Sequence, residues 1–333
     1  MNTPALKDIA TRLLAGDKGL LAMDESTPTC NRRFAALGIP QTAGMRRAYR
    51  DLIVNAAGLG ESIGGAILYD ETIRQTTHDG TPFAQALERA GIVPGIKVDE
   101  GARPLALHEG EQVTEGLDGL RGRLEEYGAM GARFAKWRAV VAIDEAGGLP
   151  SHGALLANAH ALARYAALCQ EAGLVPIVEP EVLMDGSHTL ARCAEVTERT
   201  LRVVFQQLAA QRVMPEGLLL KPNMVVPGLR CPQQASADEV ADATLACLRR
   251  TVPAAVAGIA FLSGGQSAPD ASARLNAMNL RSRGPLPWPV AFSFARAIQE
   301  PAMKAWGGRT EHVAEAQRRL VERARLNRLA RRG

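Results

Sequence analysis

Eight short apolar runs recur along the chain, and each closes on, or just before, a polar or charged residue. Continuous apolar runs of this length are typical of strands that are covered on both faces. Helix-like stretches separate the runs, so the pattern predicts an α/β fold with a parallel sheet. The runs are residues 19–24, 64–70, 95–99, 133–138, 175–181, 218–223, 258–265 and 289–294.

The segments between these runs carry apolar residues at helical spacing. Residues 154–172 are rich in alanine and leucine and end at Gly173, which suits a helix C-cap. Ser236 and Glu239 have the spacing of a capping box before a helix over 237–250. Further helices are predicted over 45–57 and 190–211.

Eight strands that alternate with about eight helices predict a (β/α)₈ TIM barrel, which typically needs about 250 residues. No linker-like stretch divides the chain, so we expect a single domain over residues 1–333, with extra N-terminal and C-terminal helices. The alternative is an open doubly wound sheet. That fold would need a glycine-rich phosphate loop after its first strand, and the DESTP sequence at 24–28 is not one.

Composition excludes several classes of protein. With 47% apolar and 22% charged residues, the chain is not of the disordered class. No apolar run approaches the roughly 18–20 residues of a membrane span, and residues 1–16 lack the features of a signal peptide. We therefore expect a cytoplasmic protein with no membrane partner. Five cysteines without a CxxC pair and six histidines without metal-binding spacing predict no disulfide framework, no metal and no cofactor.

The net charge of +4 has one local concentration, because seven arginines lie between residues 318 and 332. A nucleic-acid-binding stripe would combine such arginines with stacking aromatic residues. No aromatic residue lies in this segment. We therefore expect a solvated terminal helix and no nucleic-acid partner.

Charged and polar residues cluster at the carboxyl ends of the predicted strands. In a barrel these ends converge on one face, where active sites lie. Side chains alternate faces along a strand, so Glu179 and Glu181 share the inward face with Ile177, and Lys136 shares it with Phe134. The expected cluster comprises Asp24, Asp70, Lys97, Lys136, Arg138, Glu179, Glu181, Lys221, Ser263 and, just beyond the last strand, Arg296.

A set of lysines and carboxylates without a metal is suited to Schiff-base chemistry. A free lysine has a pKa near 10.4, and burial or a neighbouring cation lowers it until the amine can attack a carbonyl. The protonated imine then acts as an electron sink, while carboxylates transfer protons. This set of groups predicts a metal-independent aldolase.

A phosphate site is indicated at the last two strands. Ser263, Gly264 and Gly265 follow the seventh strand and Arg296 follows the eighth, where TIM barrels often bind phosphate. Glycines allow backbone N–H groups to approach phosphate oxygens. Lys97, Arg33 and Arg46 are candidates for a second phosphate, although Arg46 taken alone fits a surface position.

At these residues the sequence resembles the class I (Schiff-base) fructose-bisphosphate aldolases. The similarity runs from about residue 5 to residue 325. The matching stretches are LAMDEST at 21–27, GIKVD at 95–99, GLDGL at 116–120, FAKWR at 134–138, VPIVEPE at 175–181, LLKPNM at 219–224, TVP at 251–253, FLSGGQS at 261–267 and KAWGG at 304–308.

The resemblance implies catalytic roles for five residues. Lys221 matches the Schiff-base lysine, Glu179 the general acid/base, and Glu181 its partner. Asp24 matches the aspartate that orients the substrate and assists proton transfer. Lys136 matches a lysine near the C4 hydroxyl of fructose 1,6-bisphosphate, the substrate that the resemblance implies.

The resemblance also implies the substrate-binding residues and a homotetramer. Arg138 matches a residue near the substrate chain, and Arg46 a substrate-contacting arginine. The first phosphate would be bound by Ser263, Gly264, Ser293 and Arg296, and the second by Lys97 and Arg33.

Two departures from the family pattern leave alternatives open. Ala295 stands where relatives often have glycine, and it would be strained if that position required a positive φ angle. Many relatives also end in a tail that carries a tyrosine, whereas the last aromatic residue here is Trp306. The chain could therefore prefer another phosphorylated ketose, such as fructose 1-phosphate or sedoheptulose bisphosphate, or be a non-catalytic binding scaffold.

Overall fold

Eight parallel strands of this computed structural model close into a barrel, which excludes the open doubly wound sheet. The structure describes residues 3–144, 148–281 and 286–333. The described ranges contain ten strands, because β4 and β5 form a separate two-stranded sheet. They are β1 Gly19–Ala22, β2 Ile63–Leu68, β3 Val93–Lys97, β4 Gly101–Pro104, β5 Gln112–Glu115, β6 Phe134–Val141, β7 Val175–Val182, β8 Leu219–Leu220, β9 Gly258–Phe261 and β10 Val290–Phe294. The order around the barrel is β1, β10, β9, β8, β7, β6, β3 and β2.

Helices alternate with these strands, as the sequence predicts. They are α1 Thr3–Leu13, α2 Thr27–Ala35, α3 Ala43–Val54, α4 Asp70–Ile73, α5 Phe83–Arg89, α6 Leu120–Ala129, α7 His152–Glu171, α8 Leu190–Ala210, α9 Ala237–Thr251, α10 Ala268–Arg281, α11 Arg296–Trp306 and α12 Val313–Ala330. The capping box at the start of α9 is confirmed, because Ser236 and Glu239 bond reciprocally.

The strands β8 and β9 are shorter than the apolar runs that predict them. Pro222 has no N–H group, so the sheet ladder of β8 ends before it. The end of β9 comes before Gly264 and Gly265, whose φ angles of +53° and +97° are incompatible with a strand. Both interruptions lie at the carboxyl end of the barrel, where the loops begin.

Helix α1 closes the amino-terminal end of the barrel. Leu6, Ala10 and Leu13 are buried against the inward side chains Phe134 and Leu219. Gly65 and Gly95 make room for this packing, since an added Cβ would approach Leu13 to 2.5 Å at Gly65 and Phe134 to 2.2 Å at Gly95. The extra N-terminal helix therefore completes the apolar core of the barrel.

Helix α12 packs across the outside of the barrel, and its arginines fall into two groups. Arg318 and Arg319 are exposed and pair with Glu315 on the same helix. Arg323 and Arg331 instead donate to backbone carbonyls of other elements, including Ala297 and Leu14. The expectation of a solvated helix is therefore wrong for these two arginines, because they donate to carbonyls that would otherwise lack partners; in α11 the Ala297 carbonyl is available because Pro301, four residues on, has no N–H group.

The antiparallel hairpin of β4 and β5 was not anticipated from the sequence, because neither strand is apolar enough to stand out. It follows β3 and leads back to α6. Thr114 on β5 donates a hydrogen bond of 2.8 Å to the carbonyl of Arg138 on β6, so the hairpin is fastened beside the carboxyl end of the barrel. Gly101 and Ala102 from β4 form part of the wall of the cavity there.

Candidate active site

A cavity of about 1210 Å³ opens at the carboxyl ends of the barrel strands. Fourteen of the fifteen site residues predicted from the sequence line it, and they come from all eight barrel strands or the segments that follow them. They are Asp24, Arg33, Asp70, Lys97, Lys136, Arg138, Glu179, Glu181, Lys221, Ser263, Gly264, Gly265, Ser293 and Arg296.

A buried cluster of two lysines and two carboxylates lies at the centre of this cavity. The amine of Lys221 is 3.1 Å from Oε1 of Glu179, whose Oε2 is 3.3 Å from the amine of Lys136. Lys136 is also 2.7 Å from Asp24. The side chains of both lysines and Glu179 are only 4% exposed, so these charges interact with little screening by water.

The protonation states of two of these groups follow from their contacts. Burial by itself would raise the pKa of Asp24, but the positive charges of Lys136 and Lys221 outweigh it and hold the pKa of Asp24 well below its usual value. Burial would likewise lower the pKa of Lys136, and the carboxylates of Asp24 and Glu179 reverse this and raise it. Asp24 is therefore an anion and Lys136 a cation at neutral pH.

The backbone around Lys221 is fixed by neighbouring strands. The N–H of Lys221 donates to the carbonyl of Val178, and the carbonyl of Pro222 accepts from Leu262. Asn223 accepts a hydrogen bond of 3.0 Å from the N–H of Val182. The chain therefore leaves β8 on a fixed path that directs the Lys221 side chain into the barrel next to Glu179.

The second glutamate of the VEPE sequence has a different partner. Glu181 accepts a hydrogen bond of 2.5 Å from Arg138, whose side chain is 43% exposed at the rim of the cavity. Burial by itself would lower the pKa of Arg138, and the carboxylate of Glu181 raises it instead. Glu181 therefore orients the guanidinium of Arg138 toward the cavity mouth.

The loop after β9 and the start of α11 form a candidate anion site. Gly264 and Gly265 have positive φ angles, and an added Cβ at Gly265 would approach the Arg296 guanidinium to 3.2 Å. The hydroxyl Oγ of Ser293 is buried and has no hydrogen-bond partner among the described residues. An unpaired buried hydroxyl is unfavourable unless a ligand satisfies it.

Ala295 does not have a positive φ angle in this candidate anion site. Its φ angle is −101°, so the position does not require the left-handed conformation that would favour glycine. The strain that a positive φ angle would impose on alanine is therefore absent at this departure from the family pattern.

Arg46 is the one predicted site residue that the structure does not bring to the cavity. Its guanidinium makes hydrogen bonds of 2.7 Å and 2.8 Å to Glu71 and one of 2.9 Å to Asn31. The hydrogen bonds to Glu71 raise the pKa of Arg46. Arg46 thus joins α3 to α4 behind the cavity wall.

The cavity can be compared with those of known proteins. The model of the family described as "Fructose-bisphosphate aldolase class-I" matches residues 5–333. The chain belongs to the class I fructose-bisphosphate aldolases. Enzymes of this class are lyases that act through a Schiff base and do not depend on a metal. This membership agrees with the site chemistry expected from the lysines and carboxylates.

Relatives of this aldolase cover its whole length. A "Probable fructose-bisphosphate aldolase class 1" of Xanthomonas axonopodis pv. citri is 54% identical over 99% of this chain and 98% of its own length. "Fructose-bisphosphate aldolase 1" of Toxoplasma gondii is 51% identical over 97% of this chain and 88% of its own length.

A solved aldolase structure is also closely similar. It is the fructose-bisphosphate aldolase from Plasmodium falciparum in complex with TRAP and a small-molecule inhibitor. It has a TM-score of 0.97 and 45% sequence identity, and the match covers 99% of this chain and 94% of that one. The TIM-barrel prediction is therefore confirmed.

Two acidic residues of the cavity that pair with predicted site cations were missed by sequence reasoning. Asp99 lies 2.7 Å from Lys97 and 3.9 Å from Lys136, and Glu25 pairs with Arg33. Glu25 directly follows Asp24 within LAMDEST and Asp99 ends GIKVD, and that proximity was the available signal. Each residue has a partner close to it in sequence, but the contact depends on side-chain directions that the residue pattern alone does not specify.

None of the helices described for this aldolase is both long enough and apolar enough to span a membrane. In the same described ranges, no three His, Cys, Asp or Glu side chains are grouped so as to hold a metal ion.

Proposed function

We propose that Lys221 is the nucleophile of this fructose-bisphosphate aldolase and that Glu179 carries protons to and from it. The proposal rests on the buried Lys221 amine, which lies 3.1 Å from Glu179 and beside the ion pair of Asp24 and Lys136. The enzyme reversibly cleaves fructose 1,6-bisphosphate to dihydroxyacetone phosphate and glyceraldehyde 3-phosphate, a reaction of glycolysis and gluconeogenesis.

The first step in the proposal is formation of the imine. The neutral amine of Lys221 attacks the C2 carbonyl carbon of the open-chain ketose and forms a carbinolamine. Glu179 donates a proton to the C2 hydroxyl, which leaves as water, and a protonated imine remains. Lys136 stays cationic because the carboxylates of Asp24 and Glu179 raise its pKa.

The second step breaks the bond between C3 and C4. The C4 hydroxyl loses its proton to a carboxylate or to a phosphate oxygen, the aldehyde leaves, and the bonding electrons move into the imine to form an enamine. Asp24 is a poor proton acceptor because its pKa is lowered, so we assign it to holding the substrate hydroxyls. Lys136 lies between Asp24 and Glu179 and stabilises negative charge that develops at the C4 oxygen. Protonation of the enamine and hydrolysis of the imine release the second product.

The remaining polar groups of the cavity are proposed to bind the two phosphates of the substrate. Ser293 and Arg296, with the backbone at Ser263, Gly264 and Gly265, form the site proposed for the first phosphate. The unpaired hydroxyl of Ser293 supports this assignment, because a phosphate oxygen would give it a partner. Lys97 and Arg33 are proposed to bind the second phosphate, and Arg138 to contact the substrate chain.

The test is reduction with borohydride in the presence of dihydroxyacetone phosphate. We expect a stable adduct that peptide mapping assigns to Lys221, and activity that EDTA does not reduce. An adduct on another lysine, or no adduct, would contradict the assignment. Turnover of fructose 1-phosphate and sedoheptulose bisphosphate, measured beside fructose 1,6-bisphosphate, determines which ketose is preferred.

The proposal has two further parts, a homotetrameric assembly, which the family resemblance supports, and a cytoplasmic location, which rests on the absence of signal-peptide features in residues 1–16. Light scattering after size exclusion should give four times the chain mass of 35.5 kDa. A monomer mass would contradict the assembly, and fractionation of the source cells would test the location.

A further inference from the structure

A carboxylate beside the catalytic cluster holds one of the cavity arginines. Nη1 of Arg33 on α2 lies 2.5 Å from Oε1 of Glu25, and Arg33 makes no other hydrogen bond within the described residues. The Arg33 side chain is 23% exposed, whereas that of Glu25 is 5% exposed. One edge of the guanidinium is therefore fixed by a buried anion, and its other N–H groups can still donate to a ligand in the cavity.

Glu25 is itself fixed by residues from two other helices. Arg50 on α3, which is 2% exposed, lies 2.8 Å from Oε2 of Glu25 and donates to the Glu25 carbonyl. Gln299 on α11 donates a hydrogen bond of 2.9 Å to Oε1 of the same carboxylate. Burial would raise the pKa of Glu25, but Arg50 and Arg33 outweigh it and lower the pKa, so the carboxylate is ionised.

The orientation of Gln299 is determined by its contacts. The amide nitrogen donates both to Glu25 and to the carbonyl of Ala22, at 2.6 Å, and the amide oxygen accepts from Tyr49 at 3.1 Å. A rotated amide would place its oxygen against two acceptor oxygens. Gln299 is 0% exposed, so water cannot replace these partners. Glu25 therefore cannot shift without breaking a buried network.

The arrangement suits an anionic ligand. Two guanidinium groups share one carboxylate, which leaves a net positive charge at this edge of the cavity. Burying Arg50 with its charge is costly, and an apolar residue would serve packing as well. The network also links α2, which carries Arg33, to α11, which begins at Arg296. It thus sets the positions of two cavity arginines relative to β1.

We propose that Glu25 is a positioning residue that orients Arg33 for the second phosphate, and that it thereby sets the preference for ketose bisphosphates over monophosphates. Arg50 and Gln299 hold Glu25 in place. This inference rests on the proposed function for the assignment of Arg33 to the second phosphate.

The experiment compares kcat/KM for fructose 1,6-bisphosphate with kcat/KM for fructose 1-phosphate, which lacks the second phosphate. We expect Glu25→Gln to reduce the ratio of the two values about tenfold, mainly through a higher KM for the bisphosphate. In an Arg33→Met background the same substitution should leave the ratio where Arg33→Met alone puts it. Tyr49→Phe, which loosens Gln299 without changing a charge, should reduce the ratio about twofold.

The matched control is Glu71→Gln, because Glu71 pairs with Arg46 at 2.7 Å but neither residue lines the cavity. It should leave the ratio at the wild-type value. A ratio unaffected by Glu25→Gln overturns the inference. A rise in the ratio also overturns it, because it would mean that Glu25 competes with the phosphate. An equal loss of kcat/KM with both substrates overturns it as well.

Failure of this inference can be distinguished from failure of the proposed function. The borohydride adduct on Lys221 reports on the proposed function, and Glu25→Gln should still form it. Calorimetric binding of hexitol 1,6-bisphosphate and hexitol 1-phosphate, which cannot be cleaved, measures the phosphate preference without catalysis. If Glu25→Gln does not change the binding preference either, the positioning role is wrong, whether or not the borohydride adduct forms on Lys221.

Discussion

The two halves of the barrel interior are built from the same strands but differ in chemistry. In β6 the inward residue Phe134 lies in the lower, apolar half, and Lys136 lies two residues further on in the upper half. In β7 the change is from Ile177 to Glu179. Two residues along a strand are only about 7 Å, so a fully apolar layer lies directly beneath a layer of buried charges.

This difference separates stability from chemistry. The lower layer and α1 exclude water and stabilise the fold by burying apolar side chains such as Leu13. The upper layer keeps ionised groups in a site of low polarity, where they attract each other strongly and perturb each other's protonation. Substitutions in the two layers should therefore have opposite signatures in stability and activity.

The largest effect is expected for Lys221→Met in the upper layer. Loss of the amine should reduce kcat at least about 10³-fold and abolish the borohydride adduct, because the other cavity lysines, Lys136 and Lys97, are paired with Asp24 and Asp99. The melting temperature should not fall, since Glu179 keeps its ion pair with Lys136 and an apolar side chain replaces a buried polar group. Steady-state kinetics and calorimetry measure both, with exposed Lys304→Met as the control. Retained activity in Lys221→Met would contradict the assignment of the chemistry to the upper layer of the barrel.

Leu13→Ala in the lower layer should do the reverse. It leaves a cavity between α1 and the strands and should lower the free energy of unfolding by about 2–5 kcal/mol. The value of kcat/KM should stay within about twofold of the wild type, because the catalytic cluster is not touched. Urea titration and kinetics provide the test, and Leu329→Ala, at a leucine that is 40% exposed, is the control. A large loss of activity at equal folded fraction would show that the two layers are coupled.

The Ser293→Ala substitution tests the proposed phosphate contact at the boundary between the two layers. The Ser293 hydroxyl has no hydrogen-bond partner in the part of the chain that the structure describes, so removing it should not reduce stability. If a phosphate is that partner, kcat/KM for the bisphosphate should fall about tenfold. The matched control is Ser62→Ala, because Ser62 is a buried serine that directly precedes β2, at the amino-terminal end of the barrel. Unchanged kinetics in Ser293→Ala would argue against a phosphate at this hydroxyl.

The smallest effect concerns the pH dependence of stability at Asp24. Its pKa is lowered in the folded chain, so its contribution to stability is complete above the unfolded value near 3.8 and is lost as the pH falls below it. The stability deficit of Asp24→Asn should therefore be constant from about pH 5 to 8 and shrink below about pH 4. Denaturant titrations across this range measure it, with exposed Asp8→Asn as the control. A deficit that grows in acid would contradict the lowered pKa.

Much of the site was predictable because strand periodicity is local. Two-residue alternation is enough to place Lys136 and Glu179 on the inward face, and closure of the barrel brings their strands together. Arg46 shows the limit of this reasoning. The family resemblance matches Arg46 to a substrate-contacting arginine, but Glu71 and Asn31 bind its guanidinium outside the cavity.

The hairpin of β4 and β5 shows a second limit. Its strands are short and polar, and their pairing depends on contacts with β6 and α7, such as the bond from Thr114 to Arg138. The network around Glu25 is a third, since it joins residues up to 277 positions apart. Nothing in the local sequence indicates that Gln299 and Arg50 meet at the same carboxylate.

Periodicity and residue type are local properties, so they are enough to predict the eight barrel strands, the inward faces of β6 and β7 and the kinds of group that meet at the cavity. The pairing of the charges, the contrast between Arg33 in the cavity and Arg46 outside it, and the unpaired hydroxyl of Ser293 among the described residues are features of the folded chain. Those outcomes depend on distances of a few ångströms between elements far apart in the chain, and Coulombic and hydrogen-bond energies change steeply over such distances.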